Sequence, residues 1–203
     1  AVWHRGAVDA DGKTGDGAGI HVQIPVPFFY DQIERTGHTP RMNELMAVGQ
    51  VFLPRTDFGA QETCRTIVET EVLRMGYYIY GWRHVPVNVS CLGEKANATR
   101  PEIEQLLVSN SKGVDEETFE RELYVIRRRI EKAAQAAGIH GLYLASLSCR
   151  SIIYKGMFLA EDMSEFFPDL KDERFESAFA LYHQRYSTNT FPQWWLAQPF
   201  RML

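Results

Sequence analysis

The densest run of groups able to do chemistry in this 203-residue chain is His183-Gln184-Arg185-Tyr186-Ser187-Thr188-Asn189-Thr190. Alternation through the preceding residues puts Phe179, Leu181, His183 and Arg185 on one strand face and Ala178, Ala180, Tyr182, Gln184 and Tyr186 on the other. With Phe179 and Leu181 pointing inward, Arg185 falls where a guanidinium is costly unless an anion meets it. Two chemistries satisfy that demand. One is an internal salt bridge. The other is bidentate recognition of a ligand carboxylate, with Ser187, Thr188 and Asn189 completing a polar set. The residue types alone do not choose between them.

A second candidate is the glycine loop Gly12-Lys13-Thr14-Gly15-Asp16-Gly17-Ala18-Gly19. Its Gly-Lys-Thr suggests a phosphate loop, but Gly6 lies one residue too far upstream of Gly12, and a strand rather than a helix follows. Without a helix N-terminus, the main electrostatic support for an anion is missing. A calcium loop on Asp9, Asp11 and Asp16 fails too, because Lys13 takes a ligand position and Ile20 stands where the bidentate glutamate belongs. The loop reads instead as a tight turn packed closely against another part of the chain. The six histidines are scattered without metal-ligand spacing. Cys64, Cys91 and Cys149 are odd in number, widely spaced and free of any Cys-x-x-Cys, which predicts reduced, inert thiols in a cytoplasmic protein.

Stepping outward, a mixed set of elements must position these groups. Strands are predicted after the glycine loop from Ala18 to Ile24, within Glu44 to Leu53, over Tyr77 to Trp82, as a pair at Leu142–Cys149 and Ser151–Phe158, and over Ser177–Ser187, with loop or irregular structure at Pro86 to Val89 and Pro101 before Ile103 to Val108. A short helix or core anchor is expected at Phe28-Phe29-Tyr30. A helix is expected from Gln61 to Met75, with Gly76 as its C-cap. The firmest helix opens at Asp115, carries Phe119, Leu123, Ile126 and Ile130 on one face, and stops at Gly138. Residues 160–176 read as surface helix or loop. The 45% hydrophobic content supports a folded core. No apolar run reaches the roughly 20 residues of a membrane helix. A net charge of −4 excludes a basic nucleic-acid surface, the one cluster Arg127-Arg128-Arg129 being partly balanced by Glu131.

Several motifs in order, spread over essentially the whole chain, resemble one family. They are His4-Arg5-Gly6-Ala7-Val8, Ala10 through Gly19, Gly81-Trp82-Arg83-His84-Val85-Pro86, Arg127 through Lys132, Tyr154-Lys155-Gly156, and His183 through Leu203. Together they are similar to the glutaminase domain of the large subunit in the glutamate synthase family, of the bacterial NADPH-dependent type, within the class II glutamine amidotransferases. The resemblance implies an α+β fold, the four-layer αββα sandwich of N-terminal-nucleophile hydrolases. Residues 1–203 would form a partial type 2 amidotransferase domain, incomplete at both ends. One departure is Trp194-Trp195-Leu196, where the family usually has Trp-Pro-Leu. The long region between Tyr30 and Arg174 argues against the more compact relatives that feed purine or glucosamine synthesis.

The resemblance further implies that the domain hydrolyses glutamine to glutamate and ammonia for reductive glutamate synthesis from 2-oxoglutarate. Arg185 would hold the glutamine α-carboxylate, Thr188 would supply a neighbouring hydroxyl, and Arg5 and Gly6 would support the nucleophile. The family's N-terminal cysteine and its oxyanion Asn-Gly fall outside these residues, so no catalytic residue is assigned in this chain. FMN, an iron–sulfur cluster and NADPH are implied for the full enzyme, with no cofactor or metal in this segment. Its implied partners are glutamine, the remaining domains of the large subunit and a small subunit, with no nucleic acid and no membrane. The rival from another class is a non-catalytic glutamine-binding or scaffold module of the same fold. Losing one oxyanion donor costs on the order of a hundredfold or more, and losing the nucleophile removes the covalent route. The 203 residues on their own are therefore expected to release no glutamate from glutamine above a protein-free control; clear release would overturn the assignment of the missing groups.

Overall fold

A computed structural model of the chain describes residues 8–184 and 191–200. The described residues fall into two compact units, one drawn from Ala1–Gln23, Val85–Arg100 and Ile153–Leu203, the other from Ile24–His84 and Pro101–Ile152.

The second unit is a helix-covered sheet. Its strands β2 (Met46–Leu53), β3 (Tyr78–His84), β4 (Glu102–Ser109) and β5 (Tyr143–Ser148) lie in the order β3-β4-β2-β5, with every pairing antiparallel. Helices α1 (Val26–Arg35), α2 (Phe58–Arg74) and α4 (Glu116–Ala136) belong to the same unit, and α3 (Glu94–Ala98) to the other. Local chemistry explains the boundaries. Asp57 accepts the Ala60 N–H and starts α2 three residues before the periodicity alone predicts. Asp115 caps α4 by accepting the Thr118 N–H at 2.9 Å, and Gly138 takes the left-handed conformation (φ 67°) beyond its end. The apolar stripe of α4 and Cys64, Val68 and Val72 of α2 then pack on Ala47, Val51, Leu106, Val108 and Leu144 of the sheet.

Polar groups cross the other set of alternating positions. Gln105 donates to Gln50 (2.8 Å), and Arg83 donates to both Gln105 (2.7 Å) and Gln32 of α1 (2.8 Å), so these buried amides meet side-chain partners. Arg127 is buried and paired with Glu131 at 2.7 Å, and Arg128 shares that carboxylate. The basic cluster is thus a helix-surface network rather than a binding patch.

In the first unit, β1 (Ala18–Gln23) lies between β6 (Ser151–Gly156) and β7 (Ala180–Gln184). The β1–β7 pairing is antiparallel, with Ile20 opposite Tyr182 and His21 opposite Leu181. Two expectations need correcting here. Residues 160–176 are not simply surface: α5 (Met163–Phe166) and the following turn bury Phe166 and Phe167 in an aromatic cluster with Tyr154, Phe158 and Trp194. Conversely, Phe179 and Leu181 do not point into a core, being 49% and 45% exposed. Alternation decides which residues share a face, but it does not supply a layer to cover that face, and β7 is an edge strand among the described residues.

Phe119, fully buried with its ring centre 4.8 Å from that of Tyr77, is the test of the second unit's core. Phe119→Ala should lower stability by about 3–5 kcal/mol in urea unfolding; a loss under about 1 kcal/mol would show that the helix layer does not depend on it.

Candidate active site

The glycine loop is held by its own polar groups. The Asp9 N–H donates to Thr14 O, the Gly12 N–H to Asp9 O, and the Lys13 and Thr14 N–H groups to the Asp11 carboxylate. Thr14 also donates its hydroxyl to Asp11. The resulting turn docks on the start of α3: the Ala96 N–H donates to Thr14 Oγ1 at 3.4 Å, and the Lys95 N–H to the Asp11 carboxylate. Gly93 makes this approach possible, since a Cβ there would stand 2.2 Å from Thr14 Oγ1. The phosphate reading therefore fails for a further reason. The helix N–H groups near this loop already bind a carboxylate and a hydroxyl of the protein, and Lys13 is exposed.

Charge completes the clamp. Lys95 Nζ donates to both Asp9 carboxylate oxygens at 2.7 and 2.8 Å. That bond, followed by the Ala10 N–H, holds Asp9 below the usual carboxylate range. Asp11 lies far below it, first through the Thr14 hydroxyl and then through backbone N–H groups. Depressed carboxyl pKa values stabilise the folded loop above the ordinary value near pH 4, and that contribution is lost as pH falls through the lowered values. No group of three or more His, Cys, Asp or Glu among the described residues could hold a metal ion.

Beside this loop lies a cavity of about 470 Å³, within the range of small-molecule sites. Thr14, Asp16 and Lys95 give it polar walls, while Met157, Phe191 and Pro192 give it apolar ones. Thr14 and Asp16 are buried. Arg5, Gly6, Arg185 and Thr188, the site residues expected from sequence, lie outside the described residues. Their described neighbours are placed: Val8, two residues after Gly6, and Phe191, three residues after Thr188, both line the cavity.

Sequence reasoning placed Lys155 within the Tyr154-Lys155-Gly156 motif but gave it no role. It lies fully buried in β6, with Nζ donating to Trp195 O (3.0 Å) and Ala197 O (2.8 Å). A charged residue inside the apolar strand Ile152-Ile153-Tyr154 was the available signal, by the same logic that singled out Arg185. Trp195, the departure from the family's Trp-Pro-Leu, is half-exposed in a short 3₁₀ turn and contributes its carbonyl, a group proline also carries.

None of the three thiols is activated. Burial pushes Cys64 up to about 11. Burial and then Glu120, which accepts from Cys149 Sγ at 3.1 Å, raise Cys149, and burial raises Cys91.

The family model of the class-II glutamine amidotransferases matches residues 1–203. The chain is 70% identical over all of its length to the glutamate synthase [NADPH] large chain of Azospirillum brasilense, covering 13% of that protein. Over 98% of its length it is 43% identical to the chloroplastic ferredoxin-dependent glutamate synthase of Oryza sativa subsp. japonica and 41% identical to the glutamate synthase [NADPH] large chain of Bacillus subtilis (strain 168), covering 12% and 13% of those proteins. The chain thus spans about an eighth of the length of these curated relatives.

The thiol environments give a direct test. In the native protein, iodoacetamide at about pH 7.5 should alkylate Cys64, Cys91 and Cys149 far more slowly than a free cysteine of pKa about 8.5, accelerating as the pH rises. Rapid labelling of any of them at neutral pH, read by peptide mass spectrometry, would contradict the assignment of all three as structural.

Proposed function

The chain belongs to the class-II glutamine amidotransferases, and from that premise we propose that it forms part of the glutaminase domain of a glutamate synthase large chain. In this reading residues 1–203 are a partial amidotransferase domain that helps hydrolyse glutamine to glutamate and ammonia. The ammonia is then consumed in reductive glutamate synthesis from 2-oxoglutarate elsewhere in the protein. The observation that carries the reading is the convergence of Val8 and Phe191 on one cavity, because they flank the two segments to which the glutamine-site residues are assigned.

Arg185 suits the α-carboxylate of glutamine, since a guanidinium fork offers two parallel N–H donors to two carboxylate oxygens. The Thr188 hydroxyl adds a donor or acceptor at the same end of the substrate. Arg5 and Gly6 support the nucleophile, which this reading takes to be an N-terminal cysteine activated by its own α-amino group. An α-amine titrates near pH 7.7–8.0, so at neutral pH a useful fraction is free base within reach of the thiol. An Asn-Gly segment would supply the oxyanion donors.

The same reading gives the full protein FMN, an iron–sulfur cluster and NADPH, a small-subunit partner and a cytoplasmic location. The residues described here do not fit a cluster. Cys91 engages Asn88 O, Cys149 engages Glu120, and Cys64 is buried in a helix. The cluster is therefore assigned to the rest of the protein. Among the described residues no helix is long and apolar enough to cross a membrane.

A charge-assisted hydrogen bond contributes about 1.5–3 kcal/mol, so Arg185→Ala in the full-length large chain should lower kcat/KM for glutamine roughly 10- to 150-fold. Synthesis from added ammonia should continue, and equal loss of both activities would make Arg185 a structural residue.

A further inference from the structure

Lys155 is the one lysine among the described residues with no exposed surface, and neither the amidotransferase chemistry nor the cavity wall accounts for it. Burying an ammonium costs several kcal/mol unless hydrogen bonds compensate. An uncharged side chain would fill the same space in β6 without that cost, so the ammonium is explained by what it binds.

It binds backbone. Nζ donates to the carbonyls of Trp195 and Ala197 at 3.0 and 2.8 Å and lies 5.1 Å from the centre of the Phe200 ring. These carbonyls belong to a 3₁₀ turn and the irregular chain beyond it, where no strand or helix ladder supplies donors. One lysine therefore secures two carbonyls of a segment with little regular structure of its own.

The fit around this contact is close. A Cβ at Gly19 would stand 2.3 Å from Gln198 O and 2.7 Å from Lys155 Cβ, and one at Gly156 would stand 2.4 Å from the Trp194 ring. Trp194 is itself fixed, its indole N–H donating to Ala96 O at 3.0 Å. The segment thus lies directly against β1 and β6. Immediately upstream of it, Phe191 and Pro192 form part of the cavity wall.

We propose that Lys155 is a positioning residue of the glutamine site. By holding the Trp195 and Ala197 carbonyls it anchors the chain that leads on from Phe191 and Pro192, and so sets the part of the cavity wall against which glutamine is placed. This rests on the glutaminase reading under Proposed function, which puts glutamine in this cavity. The anchor acts through substrate placement, so its loss should register in reactions that need the glutamine backbone recognised, and not in those that need only the thiol.

The test uses the full-length large chain with Lys155→Met, which matches the unbranched apolar stem of the side chain and removes its donors, and Lys155→Gln, which keeps an N–H donor. Misplacement of about an ångström in a positioned substrate costs up to roughly a hundredfold. Lys155→Met should therefore raise KM for glutamine roughly tenfold or more, with a smaller change in kcat, and Lys155→Gln should fall between it and the wild type. Inactivation by a glutamine-analogue diazoketone should slow by the same factor as kcat/KM. Alkylation of the nucleophile by iodoacetamide, which carries no α-carboxylate, should proceed at the wild-type rate. Wild-type KM in Lys155→Met overturns the proposal. So does proportional loss of glutamine hydrolysis and iodoacetamide reactivity, or insolubility of both variants, since each indicates a general folding role. A wild-type protein that neither hydrolyses glutamine nor reacts with the diazoketone overturns the glutaminase reading, and this proposal with it.

Discussion

At Gly15, Gly19, Gly93 and Gly156 the atoms of another segment occupy the space a Cβ would fill, at 2.5, 2.3, 2.2 and 2.4 Å. In each case the opposing group is part of the first unit: the Phe158 carbonyl, the Gln198 carbonyl, the Thr14 hydroxyl and the Trp194 ring. That unit is assembled from three stretches far apart in the chain, and its irregular segments have few ladder hydrogen bonds to hold them. Backbone-to-backbone proximity takes the place of regular secondary structure. It works because each approach brings a polar partner within reach, the Thr14 hydroxyl for the start of α3 and the Lys155 ammonium for the Trp195 and Ala197 carbonyls.

The second unit is built on a different principle. Two capped helices lay apolar stripes on an antiparallel sheet, and burial of side chains such as Phe119, Leu123 and Val68 supplies the stabilisation. Several of its buried polar groups are paired with side chains, as in Arg83–Gln105–Gln50 and Arg65–Glu104. The residues that line the cavity lie in the other unit, and the arginine triplet of α4 is engaged in ion pairs, Arg127 and Arg128 with Glu131 and Arg129 with Glu71 of α2. The division of labour is physical. A regular layer is stable without close backbone contacts, whereas a binding cavity needs loops brought together at fixed distances.

The regular elements were legible because their signals are local. Asp115, the 3–4 residue spacing through Ile130 and Gly138 bound α4 without reference to the rest of the chain, and the strand at Met46–Leu53 follows from an apolar run closed by Pro54. The glycine loop was legible as a close-packed turn by elimination, since its spacing fails both the phosphate and the calcium patterns. What it packs against was not. Asp11 and Thr14 find their partners at Lys95 and Ala96, some eighty residues away, and the short helix there has no periodicity to announce it. The direction of Phe179 and Leu181 was misread for a related reason, because alternation carries no information about the layer above a strand.

By itself, then, the sequence determined the family and most of the longer regular elements. Motif order survives in the linear text, and helix and strand periodicity follow from backbone geometry that every residue shares. Tertiary structure alone decided that Val8 and Phe191 border one cavity, that Asp11 and Thr14 occupy the start of α3, and that the Lys155 ammonium is used on the backbone just beyond the Arg185 segment. Each of these is a meeting of residues distant in the chain. Such meetings depend on close packing and on where a buried charge or a missing Cβ lets two segments approach, which no local pattern encodes.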